Sequence, residues 1–305
     1  MSKKCSAIKL LGTLGLMGFA AGVDYVFANN LYFRLFSKKS PWKKDVFDES
    51  GMPEGSILRE SENVFMMSED GLLLHAYFTP ALNHKYAICV HGNGRNLTHM
   101  TDRAMGFVNM GYNVLSIELR AYGQSEGENF GAGYPDRRDL VCWCKWISEK
   151  DPDAEIVIYG VSMGGATVMM ASGERDIPSN VKCAVEDCGY TSFFDQLAYM
   201  FKGKNIPPFP VLNTVDALCK KRLGFSLREN TSVQQLKKAT LPMLFIHGEK
   251  DTFVPFYMLD EEFNACASSE KEKFVVPESG HGESHLVNPE LYWGTISEFV
   301  NKYIN

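Results

Sequence analysis

From residue 62 onward, short apolar runs alternate with segments whose apolar residues recur every three or four positions. Residues 64–67 and 72–78 predict two strands joined at Glu69-Asp70-Gly71, a hairpin turn signal. Tyr86 to Val90 is a continuous apolar run, as a strand buried on both faces requires. Residues 97–110 read as a helix ended by Gly111, and Asn113 to Leu119 as the next strand. Residues 135–149 predict an amphipathic helix with Trp143, Trp146 and Ile147 toward the core. Strands follow at 155–159 and 181–186, with a small-residue helix pattern between them. After a break, the rhythm resumes with a strand from Pro242 to Ile246, a helix over 256–267, a strand over 273–276 and a last helix from Pro289 to Tyr303.

The break, residues 188–235, is rich in aromatics and carries Pro207-Pro208-Phe209-Pro210 in its middle. It reads as a small lid inserted into the core. A hairpin followed by repeated strand–helix units implies an α/β fold, with a mostly parallel central sheet and helices on both faces. The expected organisation is a core in two parts, 62–187 and 236–305, around that lid.

The amino terminus has a different pattern. Lys3, Lys4 and Lys9 precede an uncharged stretch from Leu10 to Val23, ended by Asp24. A positive region followed by an apolar one reads as a signal or anchor segment over residues 1–30, with a linker over 31–61. Val26-Phe27-Ala28 resembles a small-residue cleavage site, so cleaved signal and retained anchor both stand, and the protein is expected to be membrane-anchored or exported. Membrane association would run through residues 9–28, and Lys38, Lys39, Lys43 and Lys44 would suit an anionic surface. A buried helix of a cytosolic protein is the plainer alternative. With a net charge of −6 and no long basic run, no nucleic-acid partner is expected. The eight cysteines show neither zinc spacing nor a disulfide framework, and no feature calls for a metal, nucleotide or flavin.

The strand at 155–159 runs into Gly160-Val161-Ser162-Met163-Gly164-Gly165 and then a helix. That strand–turn–helix context makes Gly-x-Ser-x-Gly a nucleophile elbow, whose tight turn excludes side chains beside the serine. A second match, Gly123-Gln124-Ser125-Glu126-Gly127, is followed by more loop, so Ser125 reads as part of a glycine-rich turn.

A serine hydroxyl needs a base, and the base needs an orienting carboxylate. His281, in a loop after the 273–276 strand, is a candidate base, with His285 as its rival. Asp251, just past a strand end, is the candidate acid, with Asp187 as the alternative. The order Ser162, Asp251, His281 is that of α/β-hydrolases. An oxyanion would need two backbone donors. Met163 N–H at the helix start supplies one; Asn93 N–H supplies the other, or its neighbours Gly92 or Gly94.

The chain resembles the α/β-hydrolase superfamily, in its serine-hydrolase branch, with ABHD-type lipid hydrolases and S9/S33 peptidases as relatives. The resemblance rests on Val90-His91-Gly92-Asn93-Gly94, Arg120 to Gly127, Gly160 to Gly165, Pro242 to Pro255 and Ser279-Gly280-His281. It favours His281 over His285. Where the family commonly has Arg-Gly-His-Gly-x-Ser, this chain has Arg120-Ala121-Tyr122-Gly123-Gln124-Ser125, and Glu118 stands where Asp is common. The resemblance implies a nucleophilic serine hydrolase without cofactor. The favoured substrate is a carboxylic ester, small or lipid-like, because Phe193, Phe194, Tyr199, Phe201, Ile206, Phe209 and Leu212 make the lid apolar; the plainer reading is that they only pack the lid onto the body. A peptidase or amidase using Glu186 or Asp187 to bind an amine, and a non-catalytic scaffold, are the alternatives.

Overall fold

The computed structural model describes residues 21–41, 56–93, 97–229 and 231–305. Residues 21–36 form helix α1. Helix α2 (Ile57–Glu60) leads into strands β1 (Glu62–Met67), β2 (Leu73–Thr79) and β3 (Lys85–Val90). A 3-10 turn, Leu97–Met100, precedes α3 (Thr101–Asn109) and β4 (Asn113–Ile117). Next come α4 (Asp136–Lys150), β5 (Glu155–Val161), α5 (Met163–Ala171) and β6 (Val181–Asp187). Helices α6 (Phe193–Gly203), α7 (Val211–Arg222) and α8 (Ser232–Leu236) follow. The chain ends with β7 (Met243–Gly248), α9 (Tyr257–Ala265), β8 (Lys271–Val276), α10 (Ser284–Val287) and α11 (Pro289–Val300).

The eight strands form one sheet in the order β1-β2-β4-β3-β5-β6-β7-β8. The β1–β2 and β2–β4 pairs are antiparallel, and every pair from β4 through β8 is parallel. Alternation along each strand divides the core between two faces. Ile88, Ile156, Ile158 and Phe245 pack on the face of α4, α5 and α9. Cys89, Val157, Tyr159 and Leu244 pack on the face of α3 and α11. Burial on both faces explains why the central strands read as unbroken apolar runs.

Several boundaries differ from the sequence reading, and three of them have a physical reason. β4 stops at Ile117, because the buried Glu118 carboxylate turns away to accept the Gln124 N–H at 2.6 Å and to meet His75 Nδ1 at 2.8 Å. β8 begins at Lys271, earlier than expected, since charged residues on an edge strand mask its apolar pattern. Helix α1 crosses residue 30, where the sequence suggests that an anchor gives way to a linker. Its Ala28, Tyr32 and Phe36 are buried, Thr214 Oγ1 of α7 donates to Asp24 Oδ2 at 2.5 Å, and Arg222 Nη2 donates to Asn29 Oδ1 at 2.8 Å. The rest of the expected anchor, residues 1–20, and residues 42–55 of the linker lie outside the described residues. Among the described residues, no helix is long and apolar enough to cross a membrane. Seven cysteines there are free and buried.

Helix α3 meets α11 through Gly106, where an added Cβ would lie 2.1 Å from the Trp293 ring. That ring is wedged against Phe107 and Tyr292, with centroids 5.5 and 5.3 Å away. A helical Gly→Ala change gains up to about 1 kcal/mol in propensity, whereas overpacking costs about 1–3 kcal/mol. The clash should win. We predict that Gly106→Ala lowers the denaturant midpoint, and that adding Trp293→Leu recovers part of the loss. A neutral or stabilised Gly106→Ala would show that the ring moves aside.

Candidate active site

Ser162 sits between β5 and α5 at φ 57°, ψ −117°, a conformation that L-residues avoid. The turn around it has no room for side chains. A Cβ at Gly160 would lie 2.2 Å from Gly164 O, and one at Gly164 would lie 2.1 Å from Val90 O. The turn is held from outside as well, with Ser162 N–H donating to Asp187 O at 2.8 Å.

His281 follows β8 on a loop and meets both partners expected from the sequence. Its Nε2 is 2.9 Å from Ser162 Oγ and its Nδ1 is 2.7 Å from Asp251 Oδ2. Asp251 lies in the turn after β7. Its Oδ1 accepts from Phe253 N–H at 2.8 Å and Val254 N–H at 2.9 Å. Burial pushes this carboxyl upward, but hydrogen bonds from His247 and His281 outweigh it and hold the group at about 2. The carboxylate is therefore ionised at neutral pH and fit to keep a proton on His281 Nδ1. The Phe253 ring lies 4.8 Å from the imidazole and limits where it can tilt.

The rival residues fall elsewhere. His285 is buried against Tyr292, and burial, then the Arg103 charge, lower its imidazole to about 3, so it stays neutral. Asp187 is buried with its Oδ2 accepting from Tyr292 OH at 2.8 Å. Ser125 Oγ donates to Glu118 O at 2.7 Å and accepts from His75 N–H at 2.9 Å, which places it inside the sheet rather than at a site.

A cleft of about 420 Å³ opens beside Ser162 and His281. Asn93, Met100, Arg103, Val161, Glu283, His285 and Leu286 are among its lining residues. At Gly92 a Cβ would meet Ser162 Cβ and Val161 O at 3.3 Å, so glycine lets the loop after β3 pass close to Ser162 without crowding it. His91 Nε2 accepts from Leu119 N–H at 3.1 Å, so its Nδ1 carries the hydrogen donated to Gly92 O at 2.8 Å. Asn93 Oδ1 accepts from Tyr122 OH at 2.7 Å, and Asn93 lines the cleft. Met163 is the first residue of α5, at the helix's positive end. Gly94 lies outside the described residues.

Two residues close to this site escape the sequence reading. Arg103 is buried and donates to Gly282 O at 2.7 Å, tying α3 to the loop of His281. Cys188 places a donor atom within 4.8 Å of one each from Asp251 and His281. A metal there would compete with the bond between those two residues. Neither residue belongs to a motif, and only the fold brings them in.

A model of the prolyl oligopeptidase family matches residues 99–305. The chain belongs to that family. The prolyl oligopeptidase family match covers α3 to the carboxyl terminus, including Ser162, Asp251 and His281. An uncharacterised Bacillus subtilis protein, YqkD, is 26% identical over 216 residues, 70% of each chain. The rat lysophosphatidylserine lipase ABHD12 is 24% identical over 237 residues, 73% of this chain and 57% of its own. The Pyrococcus furiosus esterase Pf2001 superposes with a TM-score of 0.69 at 21% identity, over 84% of this chain and 96% of that one. The fold is the α/β-hydrolase fold, and the protein is a hydrolase of that superfamily.

Ser125 and Ser162 should respond oppositely to alanine. We predict that Ser125→Ala leaves turnover per folded molecule unchanged. It should cost about 1–3 kcal/mol of stability, because it strands the His75 N–H and the Glu118 carbonyl. A Ser125→Ala protein with full stability, measured by chemical denaturation, would contradict that account.

Proposed function

We propose that this protein is a serine hydrolase that cleaves a carboxylic ester through an acyl-enzyme on Ser162. The observation that carries the proposal is the continuous hydrogen-bonded line from Ser162 Oγ through His281 to the ionised Asp251. Ser162 Oγ attacks the ester carbonyl while His281 Nε2 takes its proton. Asp251 keeps the other proton on Nδ1 and balances the imidazolium that forms. The imidazolium then protonates the departing alcohol, and water repeats the sequence to release the acid.

The developing oxyanion would be met by the Met163 N–H at the start of α5 and the Asn93 N–H of the neighbouring loop. Losing one such donor typically costs about a hundred- to a thousandfold in rate. Both are backbone groups, so side-chain changes at Met163 or Asn93 would test them poorly.

For substrate class, the apolar lid carries less of the argument than its composition implies. Phe193 and Phe194 are buried, with Phe193 against Phe36 and Tyr190, and Phe209 faces solvent. None of the seven apolar lid residues lines the cleft at Ser162. The cleft instead mixes Met100, Val161 and Leu286 with Arg103 and His285, which suits an acyl ester with a polar alcohol part. The lipase among the relatives and the structurally similar esterase support an ester. An amine-binding peptidase has less support, because Glu186 and Asp187 are both fully buried. A non-catalytic scaffold would not need the three side chains in register.

The same proposal places the protein at a membrane surface through its amino terminus. Val23, Tyr25, Val26, Phe27 and Phe33 of α1 are exposed while Ala28, Tyr32 and Phe36 are buried against the body. The uncharged Leu10 to Val23 stretch runs into this helix, with Lys3, Lys4 and Lys9 ahead of it.

Three variants test this reading. Ser162→Ala should abolish hydrolysis of p-nitrophenyl esters and labelling by a fluorophosphonate, with an unchanged melt. Asp251→Asn should cut kcat by about ten-thousandfold by favouring the wrong imidazole tautomer. Equal activity in either variant would remove the triad assignment. Removing residues 1–20, which spares α1, should release the protein from vesicles containing anionic lipid and leave ester turnover intact; retention on the vesicles would count against the amino-terminal attachment.

A further inference from the structure

We infer that His247 is a positioning residue for the triad: it holds the second oxygen of Asp251 in place. The inference rests on the serine-hydrolase reading and adds a group to it.

His247 is the fifth residue of β7 and has no solvent exposure. Its Nε2 lies 3.1 Å from Val254 O and 3.4 Å from Asp251 Oδ2. Both neighbours are acceptors, so Nε2 must carry a hydrogen, bonded to Val254 O and lying beside Asp251 Oδ2. Its Nδ1 is buried without a hydrogen-bond partner.

The geometry of Asp251 shows what that hydrogen can do. The Phe253 and Val254 N–H groups pin Oδ1 alone. A carboxylate pinned at one oxygen still turns about that point. Oδ2 is reached by His281, the residue whose orientation matters, and by His247. Without His247, Oδ2 can follow the His281 ring as it tilts, and the imidazole loses its fixed reference.

The surroundings of His247 are unusual for a core. Glu186 on β6 and Glu262 on α9 are both fully buried. Glu186 Oε2 accepts from Gly189 N–H at 2.9 Å, whereas Glu186 Oε1 and both oxygens of Glu262 have no hydrogen-bond partner. Burial raises both carboxyls, and each also acts on its neighbour: Glu186 on Glu262, and His247 on Glu186. The Asp187 carboxylate, bonded to Tyr292 OH, also feels the charge of this imidazole. Burial lowers the His247 imidazole, but Asp251, Glu186 and Val254 O together raise it. Buried titratable groups are costly and are rarely kept without a task. Here Glu262 feels the charge of Glu186 and Glu186 that of His247, and none of them takes part in the chemistry proposed for Ser162.

The simpler account is that His247 only closes the turn by bonding to Val254 O. The two accounts differ in kinetics. In the full-length protein, His247→Leu should lower kcat for a p-nitrophenyl ester and the rate of fluorophosphonate labelling by about tenfold to a hundredfold, as when a residue that orients a metal ligand is lost. KM should stay within about twofold, because no ground-state contact is removed. His247→Gln puts an amide nitrogen near the Nε2 position and should recover most of the rate. His247→Asn is polar but too short to reach Asp251 and should lose rate as leucine does; it carries the comparison if the leucine variant does not fold. The inference is overturned if His247→Leu or His247→Asn labels at the wild-type rate, or if glutamine loses as much as they do. A wild-type protein that takes no label would instead bring down the serine-hydrolase reading, and this inference with it.

Discussion

The backbone of Ser162 is the constraint on which the rest of the site depends. At φ 57° the residue is strained by about 1–3 kcal/mol. Packing on all sides maintains the strain. Val90 O and Gly164 O occupy the space where neighbouring side chains would be, and Asp187 O accepts the serine's own N–H. Three adjacent strands, β3, β5 and β6, therefore meet at one turn. The outcome is an oxygen raised above the sheet at the amino-terminal end of α5, where a loop from β8 brings the imidazole. The carboxylate comes from the end of β7, two strands away from the serine. A ligand site at the carboxyl ends of parallel strands is the general rule for open α/β sheets, and here the strained turn fixes where along that edge it falls.

Much of this arrangement is legible in the sequence for definite reasons. The central strands announce themselves because burial on both faces forbids polar interruptions. The elbow is recognisable because its glycines answer to steric contacts shorter than any side chain tolerates. Ser125 is separable from Ser162 because no helix follows it, and its hydroxyl proves to be spent inside the sheet. What the sequence hides are contacts that depend on two distant elements meeting. Arg103 looks like an ordinary helical arginine until α3 is set against the loop of His281. His247 looks like a strand end until the turn to Asp251 folds back on it. The charged residues of β8 conceal a strand whose place at the sheet edge requires them.

The insertion between β6 and β7 shows the limit of reading function from composition. Its aromatic residues suggest a greasy pocket. The structure spends Phe193 on joining the insertion to α1, through the Phe36–Phe193 contact, and leaves Phe209 in solvent. The walls next to the serine come from α3, the loop after β3 and the segment from His281 to Leu286. These walls are partly polar. The walls of the cleft are therefore built from the hydrolase core itself.

The buried cysteines have a consequence for how the chain is made. Burial pushes all seven described thiols above their ordinary value and, once folded, leaves them inert. In the unfolded chain the same thiols are open to one another. Their protection is conferred by the tertiary structure and is absent during synthesis. In an oxidising compartment, collapse of the sheet would race against mispairing of sulfurs that the finished molecule never joins. The native state is thus a safe harbour for these side chains, and the hazard lies on the route to it.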